Sequence, residues 1–140
     1  MKHIVYLSYD GITDPLGQSQ ILPYIFGINK VKEYKLTIIS FEKNKNLNNF
    51  KAQISNELSA FNIDWIPLNY IKNPPIISTL IDLYKLKTAL IKLSNNRFID
   101  LIHARSYITS IAALRFKKAH KTPFIFDMRG FFADERIDGK

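Results

Sequence analysis

Hydrophobic positions along this chain switch between two periods. His3–Tyr9 (HIVYLSY) is a short apolar run with β-branched residues, the pattern of a strand buried on both faces. Gln18–Lys32 then places Ile21, Leu22, Ile25, Ile28 and Val31 at helical spacing. Leu36–Phe41 (LTIISF) predicts a second buried strand, and Leu47–Phe61 a helix through Leu47, Phe50, Ile54, Leu58 and Phe61. Asp64–Leu68 predicts a third strand, at a sheet edge because Pro67 cannot donate to a ladder. After Pro74-Pro75 comes the longest helical pattern, Ile76–Leu93. Leu101–Ala104 and Phe124–Met128 predict two more strands, separated by a helix over Ile108–Ala119. Arg129–Lys140 is polar and turn-rich.

Strands alternating with helices through short connections predict an α/β fold with a doubly wound parallel sheet. Right-handed crossovers and one reversal after the first strand give the strand order 3-2-1-4-5. Ligands of such sheets bind outside the carboxyl ends of the strands, here between strands 1 and 4. The loops expected at that edge are Tyr9–Ser19, Glu42–Asn46, Tyr70–Asn73, Arg105–Tyr107 and Arg129–Glu135. Pro23 falls beyond the first turn of its helix and removes a backbone hydrogen bond, so that helix starts late or kinks.

Composition narrows the function classes. The 140 residues, 46% hydrophobic and 23% charged, suit one globular domain, or a piece of one. With no cysteine there is neither a disulfide framework nor a thiolate site. No apolar stretch reaches the length of a membrane span, and no signal-type segment opens the chain, so a cytoplasmic location is expected. The net charge of +8 suggests an anionic partner. Two helices carry much of it, one through Lys85, Lys87 and Lys92, the other from Arg115 to Lys121. The first also has more apolar residues than one buried face needs, which suits an anionic membrane surface, or simply a solvated basic face. Nucleic acid is not expected, because aromatic and basic residues do not interleave.

Three segments carry candidate chemistry. In the first loop, Asp14-Pro15 suits a helix start, Gly17 permits close backbone approach, and Gln18, Ser19 and Gln20 can hydrogen-bond hydroxyls or phosphate. Helix capping by Asp14 and packing at Gly17 explain the same residues without a ligand. In the fourth strand His103 and Arg105 share one side and could both face a ligand, or His103 is a satisfied, partly buried histidine. In the fifth, Asp127 ends an apolar run, where a carboxylate needs a partner; Arg129, Arg105 and Arg136 are the candidates. With Asp134 and Glu135 they form a polar cluster, suited to a hydroxylated or phosphorylated ligand or to a salt-bridge network. No metal-ligand spacing is present.

The segments SYDGITDPLGQSQILPY, IHARSY and FIFDMRGFFADER, in this order, resemble the N-terminal half of glycosyltransferase family 4 enzymes of the GT-B fold. The likeness runs from Met1 to Gly139. It implies a retaining transfer from a nucleotide-sugar donor to a glycan or lipid-linked acceptor, of the cell-surface polysaccharide type. It implies no cofactor and no metal, the nucleotide-sugar being a co-substrate. Leu16-Gly17 stands where most members have a Gly-Gly pair facing the donor phosphates, and only the second glycine is kept. Arg129 stands where many carry a histidine near the reacting sugar, and His103 lies on the strand facing the acceptor. These two are the expected catalytic residues. Asp134, Glu135 and Arg136 would line the next cleft loop.

On this resemblance residues 1–140 form an incomplete N-terminal half-domain, with the donor-binding domain and its E-x(7)-E motif outside the chain. The chain alone would then be inactive. A stand-alone flavodoxin-like module for a phosphorylated or anionic ligand is the alternative.

Overall fold

The computed structural model describes residues 1–129. Five strands form one parallel sheet in the order β3-β2-β1-β4-β5. They are β1 (Lys2–Ser8), β2 (Tyr34–Glu42), β3 (Asp64–Asn69), β4 (Leu101–Arg105) and β5 (Phe124–Asp127). Between them run α1 (Leu22–Asn29), α2 (Asn44–Ala60), α3 (Pro75–Asn96) and α4 (Tyr107–His120). The expected α/β architecture and strand order are both present, with β3, the proline-bearing strand, at one edge. Among the described residues no helix is long and apolar enough to cross a membrane.

Alternation along each strand splits the core into two layers. On one face Val5, Leu7, Ile39, Phe41, Ile102 and Ala104 meet Leu83, Leu86 and Leu90 of α3 and Ala112, Ala113 and Phe116 of α4. On the other, Tyr6, Leu36 and Ile38 meet Ile21, Leu22 and Ile25 of the first helix and Ile54 and Leu58 of α2.

The first helix settles how Pro23 is tolerated. Pro15 and Leu16 open it as helix, and Gly17–Ile21 then form a π-turn in which Leu22 donates to the Gly17 carbonyl five residues back. Pro23 follows directly, at the start of α1. The widened turn absorbs the bond that proline cannot make, so the helix starts early and is wound loosely, not broken.

The second face of the sheet changes character along the strands. Register aligns Ile4, Leu36 and Leu101, then Tyr6, Ile38, His103 and Ile125, and finally Ser8, Ser40, Arg105 and Asp127. Apolar at the amino end, this face becomes a row of polar side chains at the carboxyl edge.

Candidate functional site

Two polar clusters stand at that edge. In the first, Glu42 ends β2 and is wholly buried. Its Oε2 accepts from the Ile12 N–H at 3.0 Å and from the Ser40 hydroxyl. Its Oε1 accepts from the Thr13 N–H at 3.0 Å and the Thr13 hydroxyl at 2.6 Å. A side chain at Gly11 would place its Cβ 2.7 Å from Glu42 Oε1, so only glycine lets the loop close on this carboxylate. Gly17 is held the same way: a Cβ there would lie 2.2 Å from the Gly11 carbonyl oxygen and 2.5 Å from Ile12 Cα. The close approach that Gly17 permits is thus to its own loop.

The remaining residues of the first loop divide. The Asp14 carbonyl accepts the first helical bond, from the Gln18 N–H at 3.0 Å. Its carboxylate caps nothing in that helix; it accepts from Asn46 Nδ2 and lies 3.8 Å from Lys43 Nζ. Gln18 donates to the Thr13 carbonyl, and Ser19 to the Leu16 carbonyl, while the Leu16 side chain is exposed. Gln20 points the other way, toward β4.

There the second cluster begins. His103 and Arg105 lie on one face of β4, as their spacing predicts. His103 Nε2 lies 3.0 Å from Asp127 Oδ2, and Arg129 Nε lies 3.3 Å from Asp127 Oδ1. Among the described residues the partners of Asp127 are therefore His103 and Arg129. Arg105, its register neighbour on β4, turns instead toward β1 and the first helix. Tyr6 lies against the His103 ring with centroids 4.6 Å apart and the planes tilted by 31°, and Tyr24 meets it edge-on at 5.5 Å. A cavity of about 170 Å³ opens beside these rings, also lined by Ile25 and Ile125.

Arg105 is 3% exposed. Its Nη2 donates to Gln20 Oε1 at 3.1 Å, and its Nε is 3.6 Å from Asp10 Oδ2, too long for a hydrogen bond. Among the described residues Nε and Nη1 meet no acceptor at full hydrogen-bond geometry, and the Tyr6 hydroxyl, which lies beside the guanidinium, makes no well-formed bond either. Burial raises the Tyr6 pKa, against the Arg105 guanidinium beside it, whose charge and polar contact with the hydroxyl both lower it. A buried guanidinium with idle donors is costly and is suited to receive an anion. The next residue, Ser106, has φ 76° and ψ −177°, a conformation nearly confined to glycine. That strained residue makes the sharp exit from β4 into α4, immediately after the arginine.

Asp134, Glu135 and Arg136 lie outside the described residues. Sequence reasoning missed Glu42, Tyr6, Tyr24 and Asp10. Glu42 had the signal that exposed Asp127, an acid closing an apolar strand; the tyrosines had none, since aromatic residues in such elements read as core.

No family model matches the chain, and no curated protein matches it in sequence. Solved structures match it in fold. The C-terminal domain of a hydrogenase from Pyrococcus furiosus superposes with a TM-score of 0.64 at 12% identity, over 91% of this chain and 91% of that one. A glycosyltransferase from Rickettsia africae gives 0.52 at 15% identity, over 89% of this chain and 29% of that one. UDP-GlcNAc 2-epimerase from Neisseria meningitidis, solved with UDP-GlcNAc bound, gives 0.55 at 16% identity, over 90% and 31%. The chain therefore spans about a third of the last two proteins.

Proposed function

We propose that this chain is the acceptor-side half-domain of a GT-B glycosyltransferase. The whole enzyme would move a sugar, with retention, from a nucleotide-sugar donor to a glycan or lipid-linked acceptor in cell-surface polysaccharide synthesis. The donor-binding domain would lie beyond these residues, and the enzyme would work in the cytoplasm. The observation that carries this proposal is Arg105: a buried cation with unused donors, at the point where the strand order reverses. The likeness in fold to about a third of a glycosyltransferase and of a UDP-GlcNAc-binding epimerase supports it.

The chemistry follows from charge. Breaking a glycosidic bond to a nucleotide diphosphate builds positive charge on the sugar and negative charge on the leaving group. Arg105 and Arg129 offer cations for an anionic group in the cleft. His103, oriented by Asp127, offers a ring nitrogen toward an acceptor hydroxyl. Gln20 would exchange its bond to Arg105 for one to a ligand hydroxyl. Arginine holds charge and donates hydrogen bonds but is a poor base, so proton transfer falls to His103 and not to Arg129.

The test is release of UDP or GDP from a panel of nucleotide-sugars by the full-length protein, with a polyprenyl-phosphate-linked sugar as acceptor. Release that falls at least tenfold in His103→Ala is expected. Absence of release with every donor would overturn the assignment.

A stand-alone binding module for an anionic ligand is the second reading. It is favoured by the hydrogenase domain, which the chain matches over nearly its whole length. Tight nucleotide binding by residues 1–140 alone, with no transfer by the full-length protein, would select it.

A further inference from the structure

The longest helix has two apolar faces and uses only one. Ser78, Asp82, Leu83, Leu86 and Leu90 of α3 turn inward and are buried. Ile76, Ile77, Leu80, Ile81 and Tyr84 form a second stripe, spread over about 140° of the helix at about 100° per residue. This stripe is open to solvent, with Ile76 at 78%, Leu80 at 59% and Tyr84 at 69% exposure. Beside it α4 exposes Ile111 and Leu114. Between the helices runs an apolar groove of about 370 Å³, lined by Leu80, Leu83, Tyr84, Ile91 and Phe116, with Lys87 and Arg115 among its walls. A patch of this extent marks a contact surface.

Its charge says which contact. The two helices carry Lys85, Lys87, Lys92, Arg115, Lys117 and Lys118, and a single acid, Asp82. Asp82 is fully buried and accepts from the Tyr9 hydroxyl at 2.6 Å, so it contributes nothing to the outer face. The outer face therefore mixes apolar and basic side chains, with Lys87 and Arg115 in the groove itself, and no exposed acid lies on either helix. Two copies of such a face repel each other. An anionic lipid surface fits it instead: apolar side chains enter the headgroup boundary while lysine and arginine reach the phosphates.

We propose that the outer face of α3 and α4 docks on an anionic bilayer. The first turn of α3 follows β3, at the carboxyl edge that also bears Arg105, His103 and Asp127. Docking by the Ile76–Tyr84 stripe brings that edge to the lipid surface. This proposal stands apart from sugar transfer, and its test reads no activity.

The full chain is sedimented with vesicles of phosphatidylcholine containing phosphatidylglycerol, and with phosphatidylcholine alone. Binding to the anionic vesicles only, released by raising salt to about 0.5 M, is expected. Leu80→Ser/Tyr84→Ser should weaken it at least tenfold, as should Lys87→Glu/Arg115→Glu. Both pairs are exposed, so the unfolding midpoint should not move. Failure of the wild type to bind, or equal binding by both variants, would overturn the proposal. So would a dimer in solution that Leu80→Ser/Tyr84→Ser dissolves, because the face would then belong to a second copy.

Discussion

Glu42 and Arg105 are both buried charges at the carboxyl edge of one sheet, one on β2 and one on β4. They are treated in opposite ways. Glu42 gathers two backbone N–H groups and two hydroxyls onto its two oxygens. Among the described residues Arg105 makes one well-formed side-chain hydrogen bond, to Gln20, and leaves Nε and Nη1 without such partners. A saturated charge holds its surroundings and has nothing left to offer. An unsaturated one gives the fold little and retains capacity for a ligand. The contrast separates a clasp that shapes the first loop from a cation whose donors the fold does not use up.

Substitutions can break or sharpen this contrast. The largest effect is expected for Glu42→Ala, which strips an acceptor from four donors at once. A loss of about 4 kcal/mol in unfolding free energy is expected by urea titration. A loss under about 1 kcal/mol would show that Glu42 is no clasp. Gly17→Ala comes next, at about 3 kcal/mol, because its Cβ would overlap backbone and not a movable side chain. Combined with Glu42→Ala it should cost less than the sum, since both hold the same loop.

Arg105→Met should behave differently. The removed charge was poorly paired, so stability should stay within about 1 kcal/mol of wild type, in either direction. Affinity for UDP, measured by calorimetry on a chain that binds it, should fall about tenfold, or about 1.4 kcal/mol. Strong destabilisation with unchanged affinity would reverse the contrast. The smallest effect is expected for Tyr6→Phe. Its buried hydroxyl makes no well-formed hydrogen bond and lies beside Arg105, so the unfolding free energy should change by under about 1 kcal/mol in urea titration, toward greater stability.

Much of this was legible from residue order. Short apolar runs alternating with helical stripes gave the sheet, its strand order and the position of its carboxyl edge. The charged residues closing those runs, Arg105 and Asp127, marked the edge itself. The spacing of His103 and Arg105 put them on one face, and the crowding of apolar residues in Ile76–Leu93 hinted at a second apolar surface. Less legible was the fate of each polar group. Asp14 reads as a cap but gives its carboxylate to Asn46 and Lys43. Asp127 has several basic candidates and takes His103 and Arg129. Gly17 reads as an opening for a ligand or as room for packing, and the Gly11 and Ile12 backbone packs against it.

The sequence by itself determined the periods, and periods decide which side of a strand or helix is buried. That was enough for the layers and for the edge where chemistry can gather. Only the tertiary structure decided which charges are satisfied. Glu42 meets Ile12 across 30 positions of chain, and Arg105 meets Gln20 across 85. A hydrogen bond needs its atoms within about 3 Å, and no local pattern encodes that coincidence between distant residues.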